Sequence, residues 1–73
     1  MIASEPARGL LEPFRDRLIR AIGEAIEAVT ETHTAMVPGN TAGPVAHLRL
    51  ARDLLRHAAD KLDMTLRDLG ETE

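Results

Sequence analysis

The segment "MVPGNTAGPV", residues 36–45, is the one stretch of this 73-residue chain that cannot form a regular helix. It combines Pro38 and Pro44 with Gly39 and Gly43. Proline removes a backbone donor and clashes with the preceding turn, and glycine weakens a helix through its conformational entropy. Apolar residues recur at helical spacing on both sides of the segment. The sequence therefore predicts two helices joined by one turn over 37–43.

The first helix is predicted over about 13–36, with Pro13 at its first position, where a missing N–H is tolerated. Its apolar residues share one stripe at about 100° per residue. They are Phe14, Leu18, Ile22, Ala25, Val29 and Met36. Ile19 and Ile26 border this stripe on one side, and Ala21 and Ala28 border it on the other. The pattern is that of an amphipathic helix with an unusually wide apolar side.

The second helix is predicted over about 44–69, with Gly43 as cap, Pro44 at its first position and Gly70 as its stop. Its stripe consists of Val45, Leu48, Ala51, Leu55, Ala58, Ala59, Leu62, Leu66 and Leu69. The segment "MTLRDLG", 64–70, resembles the start of a helix-turn-helix motif, but only three residues follow it here. We interpret it as the last turns of the second helix.

Charge favours an antiparallel hairpin. Folding back at the turn sets an acidic row beside a basic row: Glu24, Glu27 and Glu31 beside Arg49, Arg52 and Arg56. It also sets a second basic row beside a second acidic row: Arg15, Arg17 and Arg20 beside Asp60, Asp63 and Asp68. Each exposed pair contributes only about 0–1 kcal/mol, but together they select direction and register.

A hairpin of this size lacks the core that a stable domain needs. The chain has no cysteine, so no disulfide supports it, and Phe14 is its only aromatic residue. The apolar sides are wider than one helix–helix contact covers, which indicates association. We expect an all-α fold completed by homodimerisation into a four-helix bundle. The predicted interface residues are Ile19, Ile22, Ile26, Val29, Leu50, Leu54 and Leu55.

The expected function is that of a small non-enzymatic interaction protein: an oligomerisation, adaptor or regulatory subunit that binds another protein. Ser4 is the only serine, and with no cysteine the chain offers little as a nucleophile. No cofactor, membrane span or signal peptide is apparent in the sequence, so a cytoplasmic location is expected.

Two alternatives come from charged and metal-ligating residues. The first is a nucleic-acid-associated regulator using a basic flank of the second helix: Arg49, Arg52, Arg56 and Arg67. Its layout resembles the small RNA-binding helical-hairpin dimers of the Rop type, in layout alone. The second is a metal-binding bundle, for which His33 and His47 beside Glu31 are weak candidate ligands.

Overall fold

The computed structural model describes residues 9–39 and 43–70. A 3₁₀ turn, Glu12–Phe14, leads into helix α1, Arg15–Met36, and helix α2 spans Pro44–Asp68. The two helices pack against each other along their length, and no strand occurs in the described ranges. This confirms the predicted helical hairpin. Residues 40–42, which are three of the seven positions of the predicted turn, lie outside the described part. They include Asn40 and Thr41, whose side chains make them alternative cap candidates for the second helix by residue type.

The helix ends follow from proline and glycine chemistry. Helix α1 starts at Arg15 rather than at Pro13, because Pro13 sits in the 3₁₀ turn before it. Helix α2 starts at Pro44, and the carbonyl of Gly43 accepts the N–H of His47 at 3.0 Å. Gly70, at φ +89°, closes the other end and donates its N–H to the carbonyl of Arg67 at 2.9 Å. The positive φ explains why glycine stands there.

Helix α2 is continuous through the segment that resembles a helix-turn-helix start. Thr65 lies within the helix, is buried, and donates its hydroxyl to the carbonyl of Lys61 at 2.9 Å. The segment thus forms the last turns of α2, as predicted.

The helices meet along a seam of small side chains, not along the bulky stripes. The buried residues of the described chain are Ala21, Ala28, Ala51, Ala58 and Thr65. Within each helix they recur every seven residues, which keeps them on one line along the helix. Small side chains let two helices approach closely, so this seam is where the hairpin closes. No large side chain is fully buried in the described residues.

Two inter-helix ion pairs and one histidine–carboxylate hydrogen bond run along one side of the seam, which we call the polar face. Arg17 Nη1 lies 2.9 Å from Asp68 Oδ2, and Lys61 Nζ lies 2.9 Å from Glu24 Oε2. At the turn end, His47 Nδ1 lies 2.6 Å from Glu31 Oε1. These pairs join the beginning of α1 to the end of α2 and the reverse, so the helices are antiparallel.

The partners differ in part from those that the charge pattern predicted. Arg17 pairs with Asp68 as expected, whereas Glu24 and Glu31 pair with Lys61 and His47 rather than with arginines. Glu24 and Glu31 flank the seam and are partly buried, because they follow Arg17 at intervals of seven residues. The helical spacing puts Glu24 and Glu31 opposite the bulky stripe of α1 and so predicts that they are solvated, whereas the structure places both beside the seam.

Candidate functional site: an exposed apolar face

The side of the hairpin opposite the ion pairs is covered by large apolar side chains. Helix α1 contributes Ile19, Ile22, Ile26, Val29 and Met36, and helix α2 contributes Leu48, Leu55, Leu62 and Leu66. We call these nine residues the apolar face. Their exposed fractions run from 45% for Leu66 to 74% for Met36. The largest hydrophobic side chains of the chain are therefore among its most accessible ones.

Both helices present these residues to the same side. Relative to the alanine seam, the apolar residues of each helix are rotated in the sense opposite to its ion-pairing residues. The surface relief agrees, since Val29 and Met36 of α1 line one shallow apolar depression together with Leu55 of α2. Arg17 and Lys61 line an open cleft on the other side. The hairpin thus has one apolar and one polar broad face.

The apolar face is comparable in area to the apolar part of a standard protein–protein interface. From Leu48 to Leu66 it runs about 27 Å at 1.5 Å per residue, and two helices are about 20 Å wide. This gives roughly 500 Å² of apolar footprint. A standard interface takes about 800 Å² from each partner, and in homodimers about 65% of it is apolar, which is again roughly 500 Å².

Five of the seven predicted interface residues lie on the apolar face: Ile19, Ile22, Ile26, Val29 and Leu55. The other two, Leu50 and Leu54, lie on the side of His47 and Lys61: Leu50 is three residues from His47, and Leu54 is seven residues from both. Leu54 is half-buried there and Leu50 is exposed. The structure thus separates the predicted set into two surfaces, and Met36, Leu48, Leu62 and Leu66 join the larger one.

The two histidines considered as metal ligands point to different faces. His33 lines the apolar depression beside Val29 and Met36, whereas His47 bonds to Glu31 on the polar face. Among residues 9–39 and 43–70, no three His, Cys, Asp or Glu side chains form a group able to hold a metal ion. The hairpin therefore brings His47 and Glu31 together but places His33 on the other face.

The basic flank lies on the outer edge of α2, away from the seam. All four of its arginines, Arg49, Arg52, Arg56 and Arg67, are exposed. Arg52 pairs with its neighbour Asp53 at 3.1 Å. The other three form no ion pair within the described residues. Asp60 and Asp63 are interleaved with them, which dilutes the positive potential of this edge.

Comparison with protein-family models, with curated proteins and with solved structures finds no match to this chain. None of the helices in the described part is long and apolar enough to cross a membrane.

Proposed function

We propose that this chain is a small non-enzymatic interaction protein whose apolar face packs against the same face of a second copy, completing a four-helix bundle. The bundle then serves as an oligomerisation, adaptor or regulatory unit for another protein. One observation carries the proposal: nine large apolar side chains are exposed, while the buried residues of the described hairpin are four alanines and one threonine.

The stability of so small a fold depends on how many large apolar side chains it removes from water. Burying a Val, Leu or Ile side chain contributes about 1.5–3 kcal/mol, and the alanine seam offers much less per residue. A short chain without a larger core is marginal. A surface that removes nine large side chains from water supplies what the seam lacks.

A second copy is the partner that this face fits. Two copies present equal footprints, each comparable to the apolar part of a standard protein–protein interface. The centre of the face is free of charged residues, so face-to-face stacking buries no unpaired charge. An isologous contact also doubles each apolar contribution, because every residue of the face is used twice.

The test compares two double variants with opposite expectations. Ile22→Gln with Val29→Gln changes the apolar face, where these residues are 59% and 69% exposed. Leu50→Gln with Met64→Gln is the matched control on the other side of α2, where they are 47% and 48% exposed. In a monomer, the two control substitutions should lower the free energy of unfolding at least as much as the first two, because the control side chains are less exposed.

In the bundle the order is reversed. Each large apolar side chain lost from a packed core costs about 2–5 kcal/mol, whereas an exposed substitution stays within about 0.5 kcal/mol. We expect the Ile22/Val29 variant to lose both dimer mass and helicity, and the Leu50/Met64 variant to keep both. Light scattering and circular dichroism measure the two properties. Equal behaviour of the variants as folded monomers would contradict the proposal.

A second candidate function rests on the outer edge of α2, which the bundle leaves open. Arg49, Arg56 and Arg67 lie there without ion pairs among the described residues, and such an edge suits phosphate contacts. If it binds nucleic acid, the affinity falls linearly with the logarithm of salt concentration, and Arg49→Gln with Arg56→Gln lowers that slope. Absence of salt-dependent binding at low ionic strength removes this candidate.

A further inference from the structure

Measured from the seam toward the apolar face, the apolar arcs of the two helices differ in width. On the other side of the seam, toward the polar face, α2 also carries Leu50, Leu54 and Met64, which are outside this comparison. On α1 the arc runs from the seam at Ala28 through Val29 and Ile22 to Ile26 and Ile19. At about 100° per residue it covers about half of the circumference of the helix. Ile19 and Ile26 at its far edge are 47% and 61% exposed.

On α2 the arc runs from the seam at Ala58 through Leu62, Leu55 and Leu66. It ends at Arg52 and Asp63, both exposed, after about a third of the circumference. Arg52 is held at the surface by its pair with Asp53 at 3.1 Å. On this side of α2, the one large apolar side chain beyond that border is Val45 in the first turn.

Arc width reports how many helices surround a given helix. In a bundle of four close-packed helices, one with three neighbours is covered over about half of its circumference, and one with two neighbours over about a third. A square arrangement gives every helix two neighbours and equal arcs. It would leave Ile19 and Ile26 exposed at the outer corner of α1.

We infer that the four-helix bundle is rhombic, with α1 of one copy in direct contact with α1 of the other across the two-fold axis and the two α2 helices held apart at the far corners. This inference rests on the proposed self-association and names its geometry. Each α1 then touches three helices: its own α2, the partner's α1 and the partner's α2. Each α2 touches only the two α1 helices, which matches the narrower arc.

The arrangement also assigns roles to the two helices. Helix α1 forms the centre of the dimer, and its apolar surface is used up by the two-fold contact. Helix α2 keeps its outer edge, with Arg49, Arg56 and Asp60, on the surface of the bundle. The outer edge of α2 therefore stays accessible in the dimer.

Single cysteines test the geometry, because the chain has none of its own. Ile22→Cys, Ala25→Cys and Val29→Cys place a thiol on the apolar side of α1 near its middle. Leu55→Cys, Ala59→Cys and Leu62→Cys place one on the apolar side of α2. A disulfide needs Cα atoms about 4.4–6.8 Å apart, so rapid oxidation to a covalent dimer reports direct contact between like helices.

We expect at least one α1 variant to form covalent dimer at least tenfold faster than every α2 variant, measured on non-reducing gels under mild oxidation. Ala25→Cys and Ala59→Cys change the side chain little and keep the comparison valid if the larger truncations weaken the dimer. Equal rates for both sets, or no cross-linking by any α1 variant, would overturn the rhombic arrangement.

The mass of the unmodified chain distinguishes a failure of the rhombic geometry from a failure of the proposed self-association. A dimer in sedimentation with α2 cross-links as fast as α1 cross-links contradicts the geometry and leaves self-association intact. A monomer in sedimentation removes the bundle, and the inference with it.

Discussion

The ammonium group of Lys61 donates a 2.9 Å hydrogen bond to Oε2 of Glu24 across the middle of the hairpin. Lys61 is the only lysine of the chain, and both side chains are about three-quarters buried, with exposed fractions of 24% and 22%. The second carboxylate oxygen, Oε1 of Glu24, is buried without a hydrogen-bond partner. Lys61 is therefore the group that compensates the buried charge of Glu24.

Removing Lys61 should be more costly than removing an exposed ion-pair partner. We expect Lys61→Met to lower the free energy of unfolding by about 2–4 kcal/mol, because it leaves a partly buried carboxylate unpaired. Glu24→Gln with Lys61→Met should recover most of this loss, since the charge is removed with its partner. Urea denaturation at fixed protein concentration measures both effects. A loss under about 0.5 kcal/mol for Lys61→Met would show that the pair behaves as a surface pair.

The charge pattern alone suggests a different rescue of a reversed Glu24. With Glu24→Lys as background, the structure predicts that Lys61→Glu restores stability, because the pair is reformed with opposite polarity. Arg52→Glu should restore little, since Arg52 pairs with Asp53 on the edge of α2. The reverse outcome in denaturant unfolding would place the two helices in another register.

The alanine seam predicts a size limit on its residues. The inter-helix pairs place Ala28 opposite the stretch of α2 that holds Ala51 and Ala58, and the side chains of Ala28 and Ala58 are 1% and 7% exposed. Ala28→Leu forces extra volume between the helices and should cost about 1–3 kcal/mol. Ala46→Leu is the matched control, because Ala46 is exposed on α2. A control as destabilising as Ala28→Leu in thermal unfolding would mean that helix separation is not limiting.

Two glycines should respond to alanine with opposite signs. Gly23 lies in the middle of α1 with open space around an added Cβ, so Gly23→Ala should stabilise the protein by about 0.5–1 kcal/mol. Gly39 has φ +88°, and Gly39→Ala should destabilise it by about 1 kcal/mol. Chemical denaturation of both variants tests the pair. A destabilising Gly23→Ala would indicate that another chain covers that edge of α1.

Much of the hairpin was predictable from the sequence because proline and glycine act locally. Pro44 and Gly70 mark the start and the stop of α2 through their own backbone geometry. Among these prolines and glycines, Pro13 predicted a wrong helix start, because it lies in the 3₁₀ turn that precedes the first residue of α1. Antiparallel folding alone predicted that the basic row of Arg15, Arg17 and Arg20 lies beside the acidic row of Asp60, Asp63 and Asp68, and the pair of Arg17 with Asp68 is one such contact.

The contact between the helices was harder to predict, because the most hydrophobic residues are not the small ones that let two helices approach each other closely. The bulky stripes predicted association through residues such as Ile22 and Val29, which are exposed, but they did not single out the residues at which the two helices meet. The signal for the real seam was present in the seven-residue spacing of Ala21 with Ala28 and of Ala51 with Ala58. Burying an alanine side chain contributes little transfer free energy, so the spacing of the alanines is less conspicuous than the spacing of the isoleucines and leucines.

The most direct test of the proposed four-helix dimer is the mass of the unmodified chain, measured by sedimentation equilibrium at micromolar concentration. Helicity is recorded on the same samples. We expect a species of twice the 8.0 kDa chain mass. We also expect the thermal midpoint to rise with protein concentration, because association and folding are linked. A fully helical species of 8.0 kDa with a concentration-independent midpoint would contradict the proposed dimer.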